Sequence, residues 1–134
     1  MPNSHFPVPT PAESEILECL WAAETDGATA PEIKASVENI RGKEISIHAV
    51  HKLLSVMERK SLVSRARTTN ELIRFFPRPK RRDIEVSALQ QVKDATFDGN
   101  FRRMALPFVK SATSDELQEL RKLLEEHENE KRLD

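Results

Sequence analysis

Ser46-Ile47-His48-Ala49-Val50-His51-Lys52-Leu53-Leu54-Ser55-Val56-Met57-Glu58-Arg59-Lys60 reads as one short helix with two faces of opposite character. Val50, Leu53, Leu54 and Met57 fall at i, i+3, i+4 and i+7 and form a stripe that must be buried. His48, His51, Lys52, Ser55 and Arg59 fall on the opposite side as a row of donors and positive charge, most of it near the helix start. Ser46 suits the N-cap, and Ile45 before it is placed to close on Val50 as a hydrophobic staple. A firmly held helix that shows small polar and basic groups at its first turns is what major-groove readout requires. The competing explanation is an ordinary solvated face, since exposed helix faces are usually polar.

Charge is segregated along the chain. The net charge is −1 over 134 residues, yet residues 1–38 carry one Lys against seven acids and residues 39–82 carry twelve Lys and Arg against three acids. Residues 83–134 return to an acidic excess, with eight basic and twelve acidic residues. A concentrated positive block inside a near-neutral chain is the footprint of a nucleic-acid-binding element, because phosphate contacts need local charge. A basic surface balanced by the acidic flanks within the folded protein would have the same composition.

Other classes fit less well. At 134 residues the chain suits one domain or a small domain with an appendage, and 38% apolar with 32% charged residues is ordinary for a soluble globular protein. It has no apolar run near the ~20 residues of a membrane span, and its start, M-P-N-S-H-F-P, lacks signal-peptide features, so a cytoplasmic protein is expected. Cys19 is the only cysteine, which excludes an internal disulfide and a cysteine metal cluster. It is expected to be a small buried hydrophobe. No Ser/His/Asp, Cys/His or paired-carboxylate arrangement stands out, so no enzyme activity and no cofactor are expected. His48 and His51 at i, i+3 make a poor metal site without a nearby Cys or carboxylate.

Around the central helix the elements follow in order. Residues 1–9 hold three prolines and no periodicity and read as a flexible tail. Thr10-Pro11-Ala12-Glu13 is a helix start signal, and Ile16, Leu17, Leu20 and Trp21 form the inner stripe of a first helix ending near Ala23. Thr29-Ala30-Pro31-Glu32 repeats the signal, with Ile33, Val37 and Ile40 behind it. Arg41-Gly42-Lys43 then turns the chain into the helix from Ser46, as in a helix-turn-helix. After Lys60 the pattern alternates, with Val63, Arg65 and Arg67 on one side and Leu62, Ser64 and Ala66 on the other. Thr68-Thr69-Asn70-Glu71 supplies a turn, and Leu72 to Phe76 forms the second strand of a hairpin, on which Ile73 and Phe75 are expected to pack back on the helices. Three helices and a hairpin carrying Arg65, Arg67 and Arg74 describe a winged helix.

Arg78 to Asp83 reads as a basic junction, and the chain is helical again from Ile84, with Val86, Leu89 and Val92 on one stripe. Phe101 to Lys110 carries Met104, Ala105, Phe108 and Val109 but is expected to be interrupted by Pro107. A last helix starts at Thr113-Ser114-Asp115-Glu116 and presents Leu117, Leu120, Leu123 and Leu124. These residues are too few for an independent core, so the stripes are expected to close on the same segment of a second chain. The fold class is therefore mainly α with a small β-hairpin: a flexible tail (1–9), a winged-helix DNA-binding domain (10–78) and a helical dimerisation region (79–134).

The order of elements, with Ile16-Leu17-x-x-Leu20-Trp21 in the first helix, resembles the penicillinase-repressor (BlaI/MecI/CopY) family of winged-helix repressors. Phe97-Asp98-Gly99, Leu106-Pro107-Phe108-Val109-Lys110 and the run from Ser114 to Glu126 carry the more specific part of the likeness, which covers about residues 10 to 126. The resemblance implies a homodimeric repressor on a palindromic double-stranded DNA operator, with the third helix in the major groove. DNA contacts would fall to Ser46, His48, Ala49, His51, Lys52, Ser55 and Arg59 on that helix and to Arg65, Arg67 and Arg74 on the wing. Dimer contacts would fall to Met104, Phe108, Leu117, Leu120 and Leu124. Where the family commonly has Thr-Val-Lys/Arg-Thr in the recognition helix, this chain has Ala49-Val50-His51-Lys52, which implies a different operator. The paired C-terminal cysteines of the copper-responsive branch are missing. In the β-lactam branch a membrane sensor peptidase leads to a cut at an Asn-Phe bond, and the matching pair here is Pro107-Phe108. A protease that requires Asn before the cut should fail at this pair. The alternative to the whole reading is a winged helix that binds an acidic protein partner without specific DNA binding.

Overall fold

Both Thr-initiated start signals close as reciprocal caps in the computed structural model, which describes residues 6–133. In α1, Pro11–Ala22, the Thr10 hydroxyl accepts the Glu13 N–H at 3.2 Å while the Glu13 carboxylate accepts the Thr10 N–H at 3.0 Å. In α2, Ala30–Arg41, Thr29 and Glu32 repeat the arrangement at 3.3 and 2.9 Å. Gly42, with φ of 71°, closes the C-terminus of α2. The third helix, α3, spans Ile47–Arg59, and the Ser46 hydroxyl accepts the Ala49 N–H at 3.0 Å. At its far end Ser61 turns left-handed, and Leu62 N–H donates back to the Met57 carbonyl at 2.9 Å. This Schellman end is sealed by the burial of both Leu62 and Met57.

The chain then forms an antiparallel hairpin of β1, Val63–Arg67, and β2, Ile73–Pro77, with Arg65 opposite Phe75 and Arg67 opposite Ile73. Ala28, between α1 and α2, joins the other side of β2: its N–H donates to the Phe75 carbonyl at 3.0 Å and its carbonyl accepts the Phe75 N–H at 2.8 Å. Ile16, Leu17 and Leu20 of α1, Ile33 and Val37 of α2, Val50, Leu54 and Met57 of α3, and Leu62, Val63 and Phe75 of the hairpin form one core. Ile45 and Leu53 pack at its margin. Phe6 also packs against it, while residues 1–5 of the expected tail lie outside the described residues.

The structure departs from the sequence pattern at several positions. Ile40 has the right helical phase but is 55% exposed and is not part of the buried core. The alternation in β1 fails: Leu62 and Val63 are both buried and the four residues after them are exposed, so the strand leaves the core after its first residue. Of the two wing residues expected to pack inward, Phe75 is buried and Ile73 is 39% exposed, because it lines an open recess beside the start of α2. The fourth helix, α4, begins at Arg81 and runs to Thr96, absorbing part of the basic junction. Its first turn is stabilised by Asp83, whose carboxylate accepts the Lys80 N–H at 2.8 Å.

α4 is anchored on α1. Trp21 Nε1–H donates to the Pro79 carbonyl at 3.0 Å, and the Arg81 guanidinium lies 4.7 Å from the Trp21 ring while pairing with Glu18. Ile84 adds an apolar contact to the core. The chain accordingly divides into two compact units, the first ending at Gln91 and the second beginning at Val92, with the division inside α4.

The second unit contains the end of α4, then α5, Phe101–Ser111, and α6, Ser114–Leu133. Asn100 caps α5 through the Arg103 N–H at 3.0 Å, and Thr113 and Glu116 cap α6 reciprocally. Pro107 does not end α5, contrary to expectation: the helix continues to Ser111. Proline removes a single intrahelical donor and crowds one preceding carbonyl, and the rest of this capped helix is intact around it. Among the described residues the buried members of the hydrophobic core all lie between Ile16 and Phe75.

Candidate nucleic-acid interface

The capped start and sealed end of α3 fix the helix, and burial of Val50, Leu54 and Met57 fixes its rotation. His48, His51, Lys52, Ser55 and Arg59 are consequently all exposed on one side, with Ala49 half-buried at its edge. Ser46 is exposed at the helix entry, its oxygen already used as the cap.

Ion pairs sort the basic block into committed and available charge. Arg41 pairs with Glu15 at 2.8 Å, Lys60 with Glu13 at 2.8 Å, Arg74 with Glu32 at 3.4 Å and Arg81 with Glu18. Arg65 pairs with Glu58. The acids of α1 and α2 therefore neutralise four basic residues of the block, and none of those four is on the exposed row of α3. Among the described residues Lys43, Lys52, Arg59, Arg67, Arg78, Lys80 and Arg82 have no carboxylate within ion-pair distance. The available charge thus includes the turn before α3, its outer face and the tip of β1.

The three wing arginines differ. Arg67 is exposed, whereas Arg74, one pair from the turn of the wing, is held by the Gly27 carbonyl at 3.5 Å and by Glu32. Arg65 is spread over the Phe75 ring at 5.1 Å and bound to Glu58. His51, Arg65, Arg74, Leu72 and Ile73 face one another across a recess of about 420 Å³ beside the start of α2, which brings the outer face of α3 and the wing into one surface.

Electrostatics support the scaffold more than chemistry. Burial would raise the Glu13 pKa, but the hydrogen bonds from Lys60 and Thr10 outweigh it and hold the carboxyl below its ordinary range. The Arg81 hydrogen bonds lower that of Glu18. Burial pushes the Cys19 thiol up, so it stays protonated and behaves as the expected buried hydrophobe. Among the described residues no group of three or more His, Cys, Asp or Glu is placed to hold a metal ion. Among the described residues no helix is long and apolar enough to cross a membrane.

In the second unit Met104, Leu117 and Leu120 are half-buried, and Phe108 and Leu124 are 58% and 53% exposed. Phe101, Leu106, Val109 and Leu123 add to this exposed apolar surface. Pro107 and Phe108 lie within the helical part of α5.

The pairings Glu13–Lys60, Glu58–Arg65 and Glu18–Arg81 over Trp21 escape sequence reasoning, because an ion pair between separate elements leaves no periodic signal. Ala28 is missed as a strand residue because a single bridge leaves no alternation; Asp26-Gly27 before it is the only hint.

A helix-turn-helix whose third helix presents uncompensated donors, followed by a two-stranded wing, defines a winged-helix DNA-binding transcription regulator. The chain belongs to the Penicillinase repressor family, whose model matches residues 9–126. Its members are regulators and not enzymes. No curated protein matches the chain. Among solved structures it is similar to hsRosR-S4, with 18% identity over 84% of this chain and 92% of that one and a TM-score of 0.51, a likeness of fold. It is also similar to MepR, a regulator of the Staphylococcus aureus efflux pump MepA, at 19% identity, 90% and 78% coverage and a TM-score of 0.48. The Vibrio cholerae ferric uptake regulator is similar at 22% identity over 55% of each chain, with a TM-score of 0.45.

Proposed function

We propose that this protein is a cytoplasmic homodimeric repressor that binds a palindromic operator, with α3 in the major groove and the wing on the flanking backbone. The observation that carries the reading is the division of charge: acids of α1 and α2 neutralise Arg41, Lys60, Arg74 and Arg81, none of them on the outer face of α3, while Lys52, Arg59 and Arg67 have no carboxylate partner among the described residues. Ser46, His48, Ala49, His51, Lys52 and Ser55 are placed to meet base edges and nearby phosphates, and Arg59 and Arg67 to meet phosphates. Residues 10–78 would supply the DNA contacts and residues 79–134 the dimer, through Met104, Phe108, Leu117, Leu120 and Leu124. Such a dimer presents two reading helices related by a two-fold axis, which is what makes the operator palindromic.

Release from DNA would not use a cut between Pro107 and Phe108. Proline offers no N–H to a strand-binding protease cleft, and the pair lies inside a formed helix. A membrane sensor peptidase is then unnecessary, and dissociation of the dimer by dilution is sufficient as a control. The test is selection of duplexes from a random pool by the full chain, followed by competition of the winner against random duplex. A palindromic winner that resists the competitor is expected; equal competition by random duplex would favour the protein-interaction alternative.

A further inference from the structure

Arg65 is the one wing arginine whose charge is cancelled by the reading helix itself. Its Nε donates to a Glu58 oxygen at 2.9 Å and its Nη2 to the other at 2.5 Å, so the planar fork meets the carboxylate with two parallel bonds. Glu58 lies in the last turn of α3, and the Phe75 ring beneath Arg65 holds the guanidinium in place. The pair is not buried: the side chains are 44% and 28% exposed. Arg65 also lines the same recess as His51, which puts it beside the outer face of α3. A guanidinium at that place would be in reach of the phosphates flanking a groove-bound helix, and among the described residues its hydrogen bonds go to Glu58.

We propose that Glu58 is a brake on sequence-independent DNA binding, withholding Arg65 from phosphate; this rests on the DNA-binding reading above. Affinity for random duplex grows with each phosphate neutralised by a free cation, and each such contact steepens the fall of log K with log salt by about 0.9. An arginine paired with a carboxylate has no net charge to give, so it displaces no counterion. Lys52, Arg59 and Arg67, which lack such partners among the described residues, set the backbone affinity instead. Glu58 thereby keeps the protein from being held on the large excess of random DNA.

The test is the salt dependence of binding of the full chain to a short random-sequence duplex between about 50 and 200 mM salt. Glu58→Gln should bind several-fold tighter at the low end and with a slope steeper by about 0.9. Glu58→Ala, which favours helix, should do the same and guards against a folding defect in one variant. Arg65→Ala leaves the Glu58 carboxylate unpaired and should not steepen the parental slope, and adding it to Glu58→Gln should return the slope to the parental value. Parental binding with no change of slope in either Glu58 variant would overturn the proposal. So would a gain that survives in the Glu58→Gln/Arg65→Ala double variant, which would mean that Glu58 acts by repelling DNA directly. Failure of the parent to bind any duplex would overturn the DNA-binding reading, and the brake with it.

Discussion

Lys60 donates to both carboxylate oxygens of Glu13, at 2.8 and 3.1 Å, joining the C-cap of α3 to the first turn of α1 across 47 residues. Glu13 is 2% exposed and also accepts the Thr10 N–H, so a single carboxylate caps one helix and fastens the end of another. Lys60→Met would leave that buried carboxylate without its cation. Breaking a fully buried pair costs about 3–5 kcal/mol. Because the Lys60 side chain is 35% exposed, a cost of ~2 kcal/mol is expected, read as a fall of about 10 °C in the thermal midpoint. An unchanged midpoint would show that water satisfies Glu13 when Lys60 is gone.

Acid sensitivity follows from the same pair. The folded-state pKa of Glu13 lies below its ordinary 4.5, so its contribution is fully present above that value and is lost as pH falls through the lower, folded value. Glu13→Gln retains the cap but has no charge to titrate. The difference in urea midpoint between parent and Glu13→Gln should be constant near neutral pH and narrow below 4.5. A difference that stays constant into strong acid would assign the acid limb to other carboxylates.

Base and phosphate contacts should separate by substitution. His51→Ala is expected to relax base preference at the selected operator, at a cost of about 1–3 kcal/mol, with little change on random duplex. Arg67→Ala should weaken both duplexes alike and lower the salt slope by about 0.9. Retention of full selectivity by His51→Ala would remove it from the reading face.

Gly27 and Gly42 both have positive φ, 67° and 71°, but only Gly27 is enclosed. A Cβ on Gly27 would lie 2.6 Å from the Phe76 ring and 2.7 Å from the Phe75 carbonyl, against the edge where Ala28 joins β2. Gly27→Ala should cost ~3 kcal/mol through strain and overpacking, and Gly42→Ala, with open space around it, ~1 kcal/mol. Denaturant midpoints of the two variants give the comparison directly; equal effects would mean that β2 yields to the methyl group.

The apolar face of α6 sets the oligomeric state if the proposed dimer is correct. Leu120→Asp would place a carboxylate in that interface at a cost of several kcal/mol unless it protonates. Sedimentation should show the parent as a dimer and the variant as a monomer over the same concentrations. A variant that remains dimeric would move the interface elsewhere.

Local patterns determined most of the framework before any contact was known. Thr10, Thr29 and Ser46 marked three helix starts because a cap depends only on residues within one turn, and the stripe of Val50, Leu54 and Met57 set the rotation of α3 because helical period is a local property. The exposed row from His48 to Arg59 follows from that rotation. The tertiary structure alone decided which charges on that surface are available. Arg65 and Arg67 are two residues apart on one strand and chemically alike, yet one is bound by Glu58 and the other has no carboxylate partner among the described residues. Burial behaved the same way: Ile40 and Ile73 had the right phase and remained exposed, because phase orients a side chain but only a packed neighbour removes it from water. Pairing and burial depend on residues brought together across the chain, and no short-range pattern records them.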